Sequence, residues 1–441
     1  MDGKFKNSAS ILKNNQRFIP GGVVSVNRAT HPEIAFVRGE GAYIWDADGN
    51  RYIDYHAAFA PHVLGHNDLY VSEAVMAAIE KKWSLFGTGT TEWEGRLAEL
   101  ICENIPWVES VQFLNTGSEA TYQALRVARA ATGRDHIIVM QGGYNGWHNE
   151  VSCNLMTPLG EVGPSISPGE YPYIPISAGV PLQHQELVHP INFNDLQSVK
   201  YVCEKYPVAA LIAEPILQNI GVVKPSPGYL QGLRDLSSQF GYVLIFDEVK
   251  TGFRHALGGY ASIAGVRPDL VIYGKALANG YPISALGGRK DLMEFFVHPD
   301  KRKRVLLAGT YNAHPVPVAA AIATIERLLT NNGEIYAHLE SMGKAIEDGL
   351  SAIISRVGLE AVVARQGSAF CLYFMDHCPK DWHDLAAHND FDTDKKFRTE
   401  LIHRGIYVFP EAAKQWSISS AHSKSDIEET LNHCCALLSA A

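Results

Sequence analysis

Tyr242-Val-Leu-Ile-Phe-Asp247-Glu-Val-Lys-Thr-Gly-Phe-Arg254 is the stretch on which the reading of the fold turns. An unbroken apolar and aromatic run leads into a carboxylate. A short run of this kind, without alternation, predicts a strand buried on both faces, as in parallel sheets. Asp247 then stands at the carboxyl end of its strand, where open α/β sheets place their ligands. A second run, Asp269-Leu-Val-Ile-Tyr-Gly274, delivers Lys275 in the same manner. Taken singly, a strand-end aspartate usually caps the next helix, and a lysine after a strand is usually solvated. An acid and an amine at two strand ends together ask for chemistry.

Outward from this pair the same pattern repeats. Val208-Ala-Ala-Leu-Ile-Ala213 is a buried strand, and the loop 214–228 after it can aim Glu214, Gln218 or Asn219 at a ligand. Ile137–Met140 predicts another strand, ending in Gln141-Gly142-Gly143-Tyr144-Asn145-Gly146. Two glycines let the backbone approach a flat ligand, and Tyr144 can stack on it. Val111–Asn115 reads as a strand, Thr116-Gly117-Ser118 as a turn, and Glu119–Ala131 as a helix. Free backbone N–H groups, two hydroxyls and the positive end of the helix dipole make that turn a phosphate cradle. The plain alternative is a serine helix cap. Neither a P-loop nor a G-x-G-x-x-G fingerprint is present, which counts against nucleotide and NAD binding. Lysine, buried acid, stacking aromatic and phosphate turn suit pyridoxal phosphate. That cofactor needs a lysine for its Schiff base and an acid that keeps its pyridinium nitrogen protonated.

The flanks read differently. Residues 34–55 predict three short strands with the turn Asp46-Ala-Asp-Gly-Asn50 between the last two; this fragment lacks the remaining ligands of a calcium loop. Strands alternate with helices from about 110 to 290, which describes a mostly parallel α/β sheet. Beyond it a long helix over 316–330 opens a less regular stretch. The expected organisation is an N-terminal segment 1–60 joining the small domain, a large α/β domain 61–310, and a small α+β domain 311–441. Residues 150–190, rich in Pro, Gly and Ser, read as a surface excursion. Asp381–Asp394, with His383 and His388 among its aspartates, reads as an acidic solvated loop rather than a metal site.

A net charge of −9 and the lack of a long basic stretch exclude a nucleic-acid binder. Seven cysteines at scattered spacings form neither a disulfide framework nor a zinc pattern, and they fit a reducing compartment. With a polar N-terminus and no apolar stretch long enough to span a bilayer, the expectation is a cytoplasmic protein that binds neither membrane nor metal.

Together these residues resemble the class III, fold-type I pyridoxal-phosphate aminotransferases, and within them the glutamate-1-semialdehyde aminomutase subgroup. The resemblance runs from about Ile19 to the C-terminus. It is carried by Pro20-Gly-Gly-Val, Trp45-Asp-Ala-Asp-Gly-Asn-Arg-Tyr-Ile-Asp54, Asn115-Thr-Gly-Ser-Glu-Ala120, Phe246-Asp-Glu-Val249, Thr251-Gly-Phe-Arg-His-Ala-Leu-Gly-Gly259, Pro268-Asp-Leu, Gly274-Lys275, Ala308-Gly-Thr310 and Ala421-His422. It implies a seven-stranded, mostly parallel sheet in the large domain. It also implies that Lys275 bears the cofactor and shuttles the proton, while Asp247 binds the pyridine nitrogen. Val249 and Tyr144 would hold the two ring faces, and Gly117 and Ser118 the phosphate. Asn219 would lie near the phenolic oxygen. Thr310 would reach the phosphate of a second subunit, making a homodimer obligatory. Arg28 would hold a substrate carboxylate, in a loop that includes Ser25.

This sequence departs from the subgroup around the substrate. Where the aminomutases carry a glutamate four residues after a proline, Pro410 is followed by Lys414; their wall tryptophan corresponds to Phe59. Their Gly-Tyr-His-Gly is Gly143-Tyr144-Asn145-Gly146, and their Gly-Asn-Pro is Ala313-His314-Pro315. The expectation is therefore an aminotransferase acting between a small amino donor and a keto or aldehyde acceptor. An intramolecular aminomutase is the nearest alternative, and an idle binding module of the same fold is a third.

Overall fold

A computed structural model describes residues 3–439. The chain divides into two compact units: 1–68 with 337–377 and 390–441, and 69–336 with 378–389. The division falls at 68/69 and 336/337 rather than at the expected 60/61 and 310/311. The reason is that helix Pro315–Leu329 packs on helices Leu69–Glu80 and Glu92–Asn104, within the larger unit.

The larger unit is built on a seven-stranded sheet. Its order is Ser110–Leu114, Ser284–Gly288, Leu270–Tyr273, Val243–Asp247, Val208–Ala213, His136–Met140 and Val188–Ile191. Ser284–Gly288 runs antiparallel to both of its neighbours, and the other pairings are parallel. Every residue of Val208–Ala213, Val243–Asp247 and Leu270–Tyr273 is buried, as their unalternating apolar sequences require. Helix Gly117–Thr132 lies on the sheet through Ala120, Ala124, Leu125, Val127 and Ala128. It starts at a capping box, in which the Thr116 hydroxyl accepts from Glu119 N and the Glu119 carboxylate accepts from Thr116 N.

The smaller unit holds two sheets. One runs Phe36–Glu40, Tyr43–Asp46, Arg51–Asp54 and Ile406–Tyr407; the other runs Val362–Gln366, Ala369–Tyr373 and Trp416–Ser417. Ile406–Tyr407 pairs in parallel with Arg51–Asp54, so the two ends of the chain share one sheet. Phe5, Ile44, Tyr52, Ile402 and Tyr407 pack together over it.

Two expectations are corrected. Residues 150–190 are a surface excursion only in part: 164–168 and 175–187 are exposed or half-buried, but Val151, Cys153, Asn154, Tyr171 and Tyr173 are buried, and Val188–Ile191 is the edge strand of the main sheet. Pro190 hid that strand in the sequence, yet an edge position tolerates a proline. Nor is 381–394 a solvated loop. It forms helices Trp382–His388 and Phe391–His403, with Asp381, His383, Asp384, Asn389 and Asp394 all buried.

The aspartates there have structural duties. Asp381 accepts from Asp384 N and Asp390 from Thr393 N, each capping a helix. Asp394 pairs with the buried Arg398 at 2.5 Å. Each of the two misread stretches supplies partners for the other. Trp382 Nε1 donates to Thr157 O at 2.8 Å, and the His383 ring nitrogens lie 3.1 Å from Gly163 O and 3.0 Å from Asn192 Oδ1. Among the described residues, no helix is long and apolar enough to cross a membrane.

Candidate active site

The carboxyl ends of three sheet strands bring together an acid, a second acid and a lysine. Asp247 ends strand Val243–Asp247 and is buried. Its Oδ1 accepts from Val249 N at 3.0 Å, and its Oδ2 accepts from Asn145 Nδ2 at 2.8 Å. Burial raises its carboxyl pKa, against the two hydrogen bonds and the charges of Lys275 and His148, which favour the anion. Glu214 follows strand Val208–Ala213 and is also buried. Its oxygens accept from Tyr144 N at 2.9 Å and Gln218 N at 3.1 Å. Burial pushes it up to about 7, opposed by Lys250 and reinforced by Asp247.

Lys275 follows strand Leu270–Tyr273 and Gly274. Its φ is +48°, a left-handed conformation that a non-glycine residue holds only at a cost, and one that recurs at functional sites. The turn Lys275–Ala278 is closed by Asn279, also left-handed at φ +47°. Burial lowers the ammonium pKa, Asp247 and Glu214 oppose that, and Arg254 adds to it. A depressed ammonium pKa enlarges the neutral fraction, the form of an amine that acts as nucleophile or base.

The Thr116-Gly117-Ser118 turn opens the sixteen-residue helix Gly117–Thr132, so its free N–H groups and dipole face the site. A Cβ on Gly117 would stand 3.1 Å from Val249 Cγ2, so a side chain there would crowd the surface that Val249 offers. Ser118 Oγ accepts from Trp147 N at 3.3 Å. Tyr144 is 39% exposed, and burial and the Asp247 charge push its phenol pKa up. Asn219 lies in the same loop as Glu214 and is partly buried. Thr310 is exposed; its loop is tied down by Asn115 Nδ2, which donates to Asn312 Oδ1 at 3.1 Å. Asp247, Val249, Lys275, Tyr144, Gly117, Ser118, Asn219 and Thr310 all belong to the larger unit.

Ser25, Arg28, Phe59 and Lys414 belong to the smaller unit. Ser25 and Arg28 are exposed, Arg28 ending the single turn Val26–Arg28. Phe59 sits in a run of four residues, Ala57 to Ala60, with φ between +47° and +80°. Asp54 starts that run by accepting from His56 N and Ala57 N. The Phe59 ring contacts those of His56 and Phe409, with centroids 4.2 Å and 4.9 Å away. Lys414 is held through its backbone: Arg398 donates to Lys414 O at 2.9 Å and to Phe409 O at 3.2 Å.

Three positions carry more of this geometry than their sequence suggested. Asn145 stood out only as a departure from a pattern, yet it touches Asp247 directly. Its signal was its place beside Tyr144 in a strand-end loop. Glu214 was one of three candidates in its loop, and it binds that loop to Tyr144. Arg398 went unnoticed, although Asp394 and Arg398 stand four apart on a helix, the spacing of an ion pair.

Pyridoxal phosphate fits these residues. Asp247 is a buried carboxyl held by neutral donors, suited to a cationic ring nitrogen. Gly117 leaves the open edge that a flat ring beside Val249 requires, and the helix N-terminus suits a phosphate. Lys275 is the buried amine, its ammonium pKa lowered by burial.

The family model described as Aminotransferase class-III matches residues 24–414. A glutamate-1-semialdehyde 2,1-aminomutase of Desulfatibacillum aliphaticivorans is 39% identical over 94% of this chain and 94% of its own. Further relatives of the same name, 34–38% identical, include that of Thermus thermophilus. Among solved structures, an omega-transaminase from Sphaerobacter thermophilus superposes with a TM-score of 0.90 at 28% identity, over 99% of this chain and 98% of its own. A transaminase with PLP bound superposes with a TM-score of 0.85 at 27% identity, over 98% of each chain.

Proposed function

Because the chain belongs to the class-III aminotransferase family, fold-type I enzymes that use pyridoxal phosphate, we propose that it is an aminomutase of the glutamate-1-semialdehyde type, relocating an amino group within one small carboxylated carbon skeleton. The observation that carries the chemistry is the placing of Lys275 and Asp247 at neighbouring strand ends of one sheet. The names of the curated relatives favour the intramolecular form over transfer between two molecules, the form expected from the sequence.

When bound, pyridoxal phosphate supplies an electron sink for the carbanion formed at the amino-bearing carbon. Asp247 would hold the proton on the pyridine nitrogen with a carboxylate that, among the described residues, has no arginine or lysine hydrogen-bonded to it. Lys275 Nζ would anchor the cofactor and would move the proton between the substrate Cα and the cofactor C4′. Its lowered pKa suits it to both duties. Gly117 N–H and Ser118 hold the phosphate. Tyr144 and Val249 fix the ring plane, and Asn219 approaches the phenolic oxygen. Arg28 binds the substrate carboxylate, for which a planar guanidinium is the matched partner. Ser25, Phe59 and Lys414 shape the wall around it. Thr310 completes the phosphate site of a second copy, so the working form is a homodimer.

Transamination is the second reading. Lys414 and Phe59 replace residues that the aminomutases carry in the substrate wall, and an omega-transaminase shares the fold at 28% identity. Turnover on one substrate separates the two. Glutamate-1-semialdehyde given alone to the enzyme charged with an amino group should isomerise catalytically, with no free keto acid by mass spectrometry. Turnover that stops after one equivalent and resumes only with a second amine would replace the aminomutase by a transaminase.

A further inference from the structure

Asp247 is gripped by a side chain that cannot titrate. Asn145 is 4% exposed, and its Nδ2 donates to Asp247 Oδ2 at 2.8 Å. The backbone fixes that amide from both sides. Tyr144 N, just before it, donates to Glu214 at 2.9 Å. Asn145 O accepts from the fully buried Thr121 Oγ1 at 2.7 Å. Gly146, just after it, has φ +124°, and a Cβ there would come within 2.9 Å of Ser118 Oγ. The loop therefore has little room to carry Asn145 away from Asp247.

The titratable groups that act on Asp247 lie on several elements: Lys275, His148, Glu214, Glu248 and Tyr144. Among the described residues, none of these hydrogen-bonds its carboxylate, and the influence of a titratable group changes as it gains or loses a proton. An amide does neither. It also cannot hand a proton to the carboxylate, as an imidazolium in the same place does.

We propose that Asn145 is the positioning residue of Asp247, fixing the rotamer of the carboxylate and making its grip on the cofactor ring insensitive to pH. The proposal rests on the reading that Asp247 meets the ring nitrogen. An unsupported buried carboxylate would turn toward other donors, and the orientation its ring partner needs would be only one of several.

The test is the dissociation constant of pyridoxal phosphate, measured through the absorbance of the bound cofactor across neutral pH, for wild type, Asn145→Ala, Asn145→His and Asp247→Asn. Asn145→Ala should weaken binding about tenfold, the loss of one hydrogen bond to a charged group, with a ratio to wild type that stays constant with pH. Asn145→His should restore binding at the acid end, and its ratio to wild type should climb as pH rises through the imidazole range, near pH 6.5. Full affinity in Asn145→Ala, or a flat ratio for a well-bound Asn145→His, would overturn the positioning role. If Asp247→Asn weakens binding while Asn145→Ala does not, only that role falls. If both are indifferent, the assignment of Asp247 to the ring falls with it. Thermal unfolding of the cofactor-free variants guards against misfolding. If Asn145→Ala fails to fold, the pH ratio of Asn145→His alone decides.

Discussion

At the amino end of the seven-stranded sheet, Glu170 receives His189, Lys205 and the Tyr206 hydroxyl. Burial opposes its ionisation, but those partners outweigh it and hold the carboxyl down at about 2. Asp269, at the same end but several strands across the sheet, lies 3.0 Å from both Arg234 and Arg289. At the carboxyl end the acids have different company. Asp247 is held by an asparagine amide and a backbone N–H, Glu214 by two backbone N–H groups, and Glu248 by Thr251 and two backbone N–H groups. Burial raises all three, Glu214 and Glu248 to about 7. The two ends carry acids that are buried or partly buried, and they differ in counterions. Where cations are built in, the acid is a fastener. Where only neutral donors are built in, the acid keeps an unmet demand for positive charge, which a ligand can supply.

The largest effects should come from the carboxyl end. Lys275→Ala should cut turnover about a thousandfold or more while leaving the fold intact by circular dichroism; substantial residual turnover would remove the lysine from the chemistry. Asp247→Ala should lower kcat about a hundredfold, in the range seen when one preorganised electrostatic partner of a reaction is deleted. Its cofactor affinity should fall less. Equal losses in both would make Asp247 a binding group only, like its counterparts at the amino end.

Effects at the amino end should spare the chemistry. Arg234→Met should cost about 1–3 kcal/mol of stability in denaturant unfolding, because the buried Asp269 loses one of its two cations, and should leave the pyridoxal phosphate dissociation constant unchanged. A change in that constant would mean the two ends are coupled.

The smallest effect is also the sharpest for the comparison, since its sign differs between the ends. Glu214, raised to about 7 when folded, binds its proton more tightly than in the unfolded chain. Folding stability therefore falls as pH rises from about 4.5 to 7, and Glu214→Gln should flatten that slope. Glu170 is depressed to about 2, so its stabilisation is present above about pH 4.5 and fades as pH drops toward 2. Glu170→Gln should flatten only that acid limb. Stability curves from urea unfolding at a series of pH values read both, and slopes of the same sign would erase the contrast.

This contrast also explains what could be read from the sequence. The carboxyl end was legible because its chemistry sits at strand termini, and fully buried strands announce themselves as apolar runs. Asp247 and Lys275 each follow such a run. The partners that tune them were not legible. Asn145 reaches Asp247 from a strand two places away in the sheet, a neighbourhood that strand order creates and local sequence does not. The stretches 150–190 and 381–394 misled for a related reason. Each looks polar and loose alone, yet parts of each are buried, some of them through groups held by the other, as Trp382 on Thr157 shows. Asp394, at the end of the stretch read as a solvated loop, forms a buried pair with Arg398. Composition reports the cost of burying such groups; only the fold reveals their partners.

The most direct test is to find where the cofactor attaches. The holoenzyme is reduced with borohydride, digested, and its pyridoxyl-bearing peptide sequenced by mass spectrometry. The account predicts the label on Lys275. A label on Lys250, whose Nζ instead donates to Gln218 O at 2.8 Å, or on any other lysine, would contradict it.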